Sequence, residues 1–205
     1  MFEASQGETT NQPAHPAAID TGLARVVELA RAGDGLAFHD LFQQYNGQVC
    51  TYLARLVGND EVGRDLARET FIRAWKSLPE IRSNAHFKPW LFRIATNIAI
   101  SHLRHARLVR WLPWQEDNSD SAPIRLELSV DSPEERTSET ECVQHVLAQL
   151  APQSRTCLLL QLVAGFSQRE IAESLGISEK SVSAYVSRGR EQFRRVYSRM
   201  KGAEV

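Results

Sequence analysis

Apolar side chains recur every three to four positions along most of the chain, and each such run predicts an amphipathic helix. Leu23, Val26, Val27 and Ala30 make the first run, beginning near Thr21. After Gly33-Asp34 comes a longer one, Leu41, Phe42, Tyr45, Val49, Leu53 and Leu56, which Gly58 ends. Asn59 or Asp60 can cap a third helix with Val62, Leu66, Phe71, Ala74, Trp75 and Leu78 as its buried set and Pro79 closing it. Asp65, Arg68, Glu69 and Arg73 stay outside that stripe. In a fourth helix Phe87, Trp90, Leu91, Ile94, Ala95, Ile98 and His102 share one side. Arg93, Asn97, Ser101, Arg104 and Arg107 or Leu108 share the other.

The period fails at WLPWQED, and residues 113–137 carry Pro113, Pro123 and Pro133 without periodicity. A stretch of that length is unusual inside one compact domain, so it predicts a flexible linker between two. Four helices follow: SETECVQHVLAQL, QSRTCLLLQLVAG, SQREIAESLG and SEKSVSAYVSRGREQFRRVYSRM. Ser167 and Glu170 have capping-box spacing, Gly176 permits a tight turn, and Ser178 can cap the last helix. There Val182, Tyr185, Val186, Gly189, Phe193, Val196 and Tyr197 form the buried stripe, leaving Lys180, Ser181, Ser183, Ala184, Ser187 and Arg188 outside. The predicted fold is all-α, with two small helical domains. Residues 1–20 are a polar tail expected to be disordered, 21–112 the first domain, 113–137 the linker and 138–200 the second domain.

Charge sharpens this division. The net charge of −1 argues against a nucleic-acid partner until its distribution is read. Between Gln115 and Glu141 nine acids face two arginines, whereas from Lys180 to Lys201 seven cations face the single acid Glu191. A basic helix end is a footprint for phosphates, although a solvated helix face has the same composition. No apolar run reaches the roughly 18 residues of a membrane helix, and the first twenty residues lack the features of a secretion signal, so a cytoplasmic protein is expected. Cys50, Cys142 and Cys157 form no CxxC pair and read as buried small apolar residues.

A short helix, a glycine turn and a longer basic helix spell a helix-turn-helix, whose second helix offers small polar side chains to base edges and arginines to phosphates. A plain helical hairpin is the alternative. On the fourth helix, Asn97 and the arginines next to the loop Arg82-Ser83-Asn84 suit unpaired bases, the amide meeting a base edge while arginines follow the backbone. By pattern alone, an amphipathic core helix accounts for it more simply. No P-loop, GxSxG, HExxH or dinucleotide fingerprint is present. His102 and His105 have no third ligand near them, and Glu134 and Glu135 sit in the linker, so no catalytic or metal site is expected.

RDLARETFIRAW and FKPWLFRIATNIAISHLR in the first half, with LAQLAPQSRTCLLLQLVAGFSQREIAESLGISEKSVSAYVSRGR in the second, make the chain resemble the extracytoplasmic-function (ECF) sigma factors, group 4 of the sigma-70 family of bacterial RNA polymerase. The resemblance spans residues 22 to 198 and keeps the family order. It implies that the first domain is a promoter-melting helical bundle in which Arg82, Ser83, Asn84 and Ala85 line a pocket for one flipped base of the −10 element. Asn97 would read that base, with Arg93, Ser101, Arg104 and Arg107 on backbone or neighbouring bases. Asp65, Arg68 and Glu69 would dock on the β′ clamp helices. The four-helix second domain would read the −35 duplex through Ser178, Lys180, Ser181, Ser183, Ala184, Ser187, Arg188 and Arg190. The acidic linker would run toward the polymerase active centre and RNA exit, its carboxylates imitating nascent RNA.

The implied partners are core RNA polymerase, through the β′ clamp helices and β flap, promoter DNA as duplex and melted strand, and an anti-sigma factor. No cofactor, metal or membrane insertion is implied. Two positions depart from the family pattern. Arg68 replaces a usual glutamine before the docking glutamate, and Ser183 replaces a usual cation in the recognition helix. The rival readings are a stand-alone helix-turn-helix regulator of duplex DNA and a helical adaptor that binds protein only.

Overall fold

A computed structural model describes residues 17–81, 87–105 and 138–202. Among them are eight α-helices and one 3-10 turn, with no strand. The first half holds α1 (Ala17–Arg31), α2 (Gly35–Val57), α3 (Asp60–Ser77), the 3-10 turn Leu78–Glu80 and α4 (Phe87–His105). The second holds α5 (Ser138–Ala148), α6 (Pro152–Leu162), α7 (Gln168–Leu175) and α8 (Glu179–Gly202). Helix α1 starts at Ala17, ahead of the expected Thr21, because Ala17 and Ala18 are good helix formers upstream of the first apolar position.

Local chemistry sets the helix ends. The Asp34 carboxylate accepts from the amides of Leu36 at 2.8 Å and Ala37 at 3.2 Å, opening α2. Gly58, at φ +87°, closes it, its N–H donating a hydrogen bond to the Ala54 carbonyl. Of the two candidate caps for α3, Asn59 fills the role, its side chain accepting from Val62 N at 3.0 Å. Asp60 and Glu61 then sit in the first turn, where the helix dipole favours acids. Helices α2 and α3 pack so closely that a Cβ on Gly63 would fall 2.6 Å from the Ala54 backbone. Phe38 and Phe42 meet Phe71 edge-on at 6.5 and 4.9 Å, and Tyr52 donates or accepts a 2.7 Å bond with Thr96 that fixes α4 on α2.

In the second half, the predicted capping box is present: Glu170 N donates to Ser167 Oγ, and Ser167 N donates to Glu170 Oε2 at 2.8 Å. Gly176 takes the left-handed conformation between α7 and α8, and Ser178 caps α8 by accepting from Ser181 N at 3.1 Å. Val182 and Val186 are buried, as the stripe required.

The halves pack on each other, and one apolar core runs through both. Helix α7 lies on α4, while α5 and α6 lie on α2. At this seam Phe92 meets Phe166 edge-on at 5.3 Å, and Ser174 Oγ donates to the Pro89 carbonyl at 3.3 Å. Gln144 and Arg55 bond reciprocally: Arg55 Nη1 donates to Gln144 Oε1 at 3.3 Å, and Gln144 Nε2 donates to the Arg55 carbonyl at 3.2 Å. Arg155 of α6 is also enclosed here, 1% exposed and near the Tyr52 hydroxyl.

Several burial expectations need correcting. Trp75 is 38% exposed rather than buried, because it rides on Phe38 at the rim of the α2–α3 pair. Cys50 and Cys142 are half-buried, and of the three thiols only Cys157 lies inside. The apolar face of α4 is wider than one stripe: Phe92, Thr96, Ala99, Ile100 and Leu103 are buried as well. The disordered-tail and linker expectations concern residues outside the described ones, apart from positions 17–20 at the start of α1.

Candidate nucleic-acid interface

Helix α4 carries two faces with different tasks. Its inner side chains anchor it: Phe87 packs on Tyr45 at 5.6 Å, and Thr96 donates to the Phe92 carbonyl at 2.8 Å while bonded to Tyr52. With that face fixed, Arg93, Asn97, Ser101 and Arg104 stand in a row on the outside, and all four are exposed. Spacings of three and four residues keep them on one side. Such a row offers an amide, a hydroxyl and two guanidiniums to a strand along the helix. His105 Nδ1 lies 2.7 Å from the Ser101 carbonyl, so this histidine closes the helix end. Among the described residues no cluster of His, Cys, Asp or Glu could hold a metal ion. Arg82, Ser83, Asn84, Ala85 and Arg107, the remaining expected −10 contacts, lie outside the described residues.

Lys88, in the first turn of α4, was not singled out by sequence. It is half-buried at the seam, with its ammonium 5.3 Å from the Phe166 ring centroid. Burial pushes its pKa down, while the charge of Glu170 opposes that shift.

On α8, Lys180, Ser183, Ser187 and Arg188 are exposed and share the outer face, with Ala184 half-buried between them. Arg188 folds back, its guanidinium 5.1 Å from the Tyr185 ring and its Nε donating to the Ala184 carbonyl at 3.3 Å. Ser178 and Ser181 bond each other through their hydroxyls at 2.8 Å, so both belong to the helix start. Arg190 points elsewhere: its Nη2 donates to Gln161 of α6 at 2.8 Å. There it joins Arg55 and Arg194 around an apolar groove of about 420 Å³ floored by Leu147, Leu158 and Phe193.

The docking candidates lie together on α3 but pair among themselves. Arg68 donates to Asp65 at 2.8 Å, and Arg73 to Glu69 at 2.5 Å, with Arg68 74% and Asp65 66% exposed at the side chain. Arg68 also borders an open groove of about 540 Å³ lined by Phe38, Phe42, Phe71, Ile72 and Trp75. Ile72 is 56% exposed there. Sequence reasoning missed this groove because Phe71 and Trp75 sit at core spacing. The one usable signal was Ile72, an apolar residue off the stripe.

Two family models match the chain: sigma-70 region 2 over residues 29–109 and sigma-70, region 4 over residues 140–193. The RNA polymerase sigma factor NccH of Alcaligenes xylosoxydans is 35% identical over 84% of this chain and 91% of its own length. CarQ, an RNA polymerase sigma factor of Myxococcus xanthus, is 32% identical over 85% of this chain and 97% of its own. The ECF RNA polymerase sigma factor SigW of Bacillus subtilis is 28% identical over 84% and 95%. Among solved structures, CnrH in complex with the cytosolic domain of CnrY is similar in fold, with a TM-score of 0.66, 23% identity, and coverage of 86% of this chain and 97% of that one. RpoE of Bartonella quintana, solved with the anti-sigma factor NepR, has a TM-score of 0.60, 18% identity and coverage of 78% and 96%.

Proposed function

The chain belongs to the sigma-70 family of RNA polymerase sigma factors, in its extracytoplasmic-function group, and we propose that its two halves divide promoter recognition as follows. Residues 21–112 dock on core polymerase and read the −10 element as it melts. Residues 138–200 read the −35 duplex, and residues 113–137 join them. Bond-making chemistry belongs to the core enzyme, and the sigma factor supplies address and strand separation. Among the described residues no helix is long and apolar enough to cross a membrane, in keeping with work beside the polymerase in the cytoplasm.

The observation that carries this reading is the exposed row Arg93, Asn97, Ser101 and Arg104 on a helix whose opposite face is locked by Tyr52 and Thr96. Extruding a base costs a few kcal/mol of lost stacking, and a preformed row regains part of it without first ordering itself. Asn97 is placed to meet the base edge, with Arg93 and Arg104 to follow the phosphates. On α8 the outer face Lys180, Ser183, Ser187 and Arg188 supplies the duplex contacts, whereas Arg190, bonded to Gln161, is free for them only after it releases α6. Asp65, Arg68 and Glu69, together with the aromatic groove, form the surface for the β′ clamp helices.

An anti-sigma factor completes the partner set, as NepR does for the sigma factor RpoE solved with it. The groove rimmed by Arg55, Arg190 and Arg194 has the apolar floor and cationic edge that an acidic amphipathic helix needs.

Run-off transcription with purified core polymerase tests the reading: initiation should depend on this chain and fall on Asn97→Ala. A DNase footprint equally strong without polymerase would overturn it in favour of a stand-alone duplex-binding regulator.

A further inference from the structure

Exposed arginines on the helices of this chain meet different fates. Arg68, Arg73 and Arg169 each lie against a carboxylate one turn away on their own helix, which neutralises them. Arg188 has Glu191 one turn ahead of it, yet among the described residues no ion pair joins the two. It turns back instead. Its Nε donates to the Ala184 carbonyl at 3.3 Å, and its guanidinium lies 5.1 Å from the centre of the Tyr185 ring. That ring is half-buried and packed against the core, so it is a fixed platform. With Nε anchored and the plane held by the ring, the two Nη groups at the far edge keep their donors for a partner.

Position adds a second constraint. A recognition helix enters the major groove at its start, and Arg188 lies nine residues past Glu179, about 14 Å along α8. Folding back over Ala184 carries the guanidinium about 5 Å, one helical turn, toward the end that enters the groove. Ser183, Ala184 and Ser187 share this outer face and are small, which lets the helix approach the base edges closely. A paired N–H edge matches O6 and N7 of guanine, two acceptors side by side. Adenine sets a donor next to its N7, and cytosine presents a donor.

We propose that Tyr185 is a positioning residue for specificity: it holds Arg188 edge-on, so that α8 selects a guanine at one position of the −35 duplex. This rests on the sigma-factor reading and deepens it, assigning a base and the residue that enforces the choice. The ordering that a long side chain usually undergoes on binding is already present in the free protein, and the fixed edge discriminates between bases where a mobile cation would not.

The test gives holoenzyme, made from core polymerase and the full-length chain, a promoter duplex library randomised across the −35 segment, and counts the bound sequences. Wild type should enrich guanine at one position about 5- to 150-fold. Arg188→Ala and Arg188→Lys should both lose that preference, the lysine because one ammonium lacks the paired edge, while Arg188→Lys keeps the salt dependence of wild type. Tyr185→Leu should lower the preference about two- to fivefold, and Tyr185→Phe should keep it, since the ring face alone holds the guanidinium. In an Arg188→Ala background, Tyr185→Leu should change the preference no further. Thermal melts establish folding, and Tyr185→Met takes the place of Tyr185→Leu if that variant does not fold. A guanine preference that survives loss of the ring would overturn the proposal. So would an Arg188→Ala that weakens all sequences alike, the mark of a phosphate contact. Both results leave the sigma-factor reading standing, whereas a holoenzyme that enriches no −35 sequence would sink that reading and the proposal together.

Discussion

Adding one methyl group at Gly63 and the same group at Gly47 should move stability in opposite directions. Both glycines lie inside helices, where alanine is favoured by up to about 1 kcal/mol. At Gly47 a Cβ meets nothing within 4 Å, so Gly47→Ala should stabilise by about 0.5–1 kcal/mol. At Gly63 it would lie 2.6 Å from Ala54 Cα and N and 2.8 Å from Ala54 Cβ. Carbon atoms rest at about 3.5–4.0 Å, so α2 and α3 must part by about 1 Å. Overpacking of this kind costs about 1–3 kcal/mol, and the obstacle is backbone, which cannot rotate away. After the propensity gain is subtracted, Gly63→Ala should lose about 1–2 kcal/mol, which separates the variants by about 2–3 kcal/mol. For a packed body of about 150 residues that is about 4–12 °C in Tm. Urea and thermal melts of the full-length protein, followed by circular dichroism, measure it. Equal stability of Gly63→Ala and wild type, or shifts of the same sign in both variants, would refute the close contact between α2 and α3. Because α3 carries Asp65, Arg68 and Glu69, the displacement should also weaken polymerase binding.

Asn97→Ala should leave the melting curve within about 0.5 kcal/mol of wild type, since the side chain is exposed, while run-off initiation drops about tenfold. Ser167→Ala removes the acceptor of the Glu170 amide and should cost about 1 kcal/mol, read as a lower Tm and weaker −35 duplex binding. Burial pushes the Cys157 thiol up to about 12, so at pH 8 the reactive thiolate is scarce. Peptide mapping after iodoacetamide at pH 8 should find Cys50 and Cys142 labelled ahead of Cys157, with denaturant removing the difference, and rising pH should speed the Cys157 reaction. Lys180→Ala should lower the slope of log affinity against log salt for −35 duplex by about one.

Much of the helical layout was legible because its punctuation is local. Gly58, Ser167, Gly176 and Ser178 act on amides and carbonyls within four residues, so spacing alone reveals them. The outward row on α4 was legible for the same reason, since a single helix defines its sides. The seam was not. Phe92, Thr96, Ala99 and Leu103 occupy positions between the apolar stripe and the polar row, and their burial depends on elements far along the chain. Nothing local distinguishes a second buried side from a tolerant surface. Arg155 is the sharpest case: an arginine within CLLLQL-type apolar surroundings reads as a helix-surface residue until α2 closes over it. Trp75 failed in the other direction. Its position has core spacing, but α2 ends its coverage at Phe38, leaving the ring half in water. Cys50 and Cys142 show the same limit, for composition marks cysteine as an interior residue without saying how much neighbour each one finds.

The ion pairs along α3 bear on how this protein competes with rivals for a shared enzyme. Asp65 with Arg68, and Glu69 with Arg73, neutralise each other before any partner arrives. A visiting surface gains little long-range pull from such a self-satisfied stripe, and the added cation of Arg68 brings no net attraction. On the docking surface proposed above, adhesion rests on short-range contact with Phe38, Ile72 and Trp75. Grip of that kind barely notices ionic strength, so a cell whose interior turns saltier would shift occupancy toward this factor and away from competitors that hold on by charge.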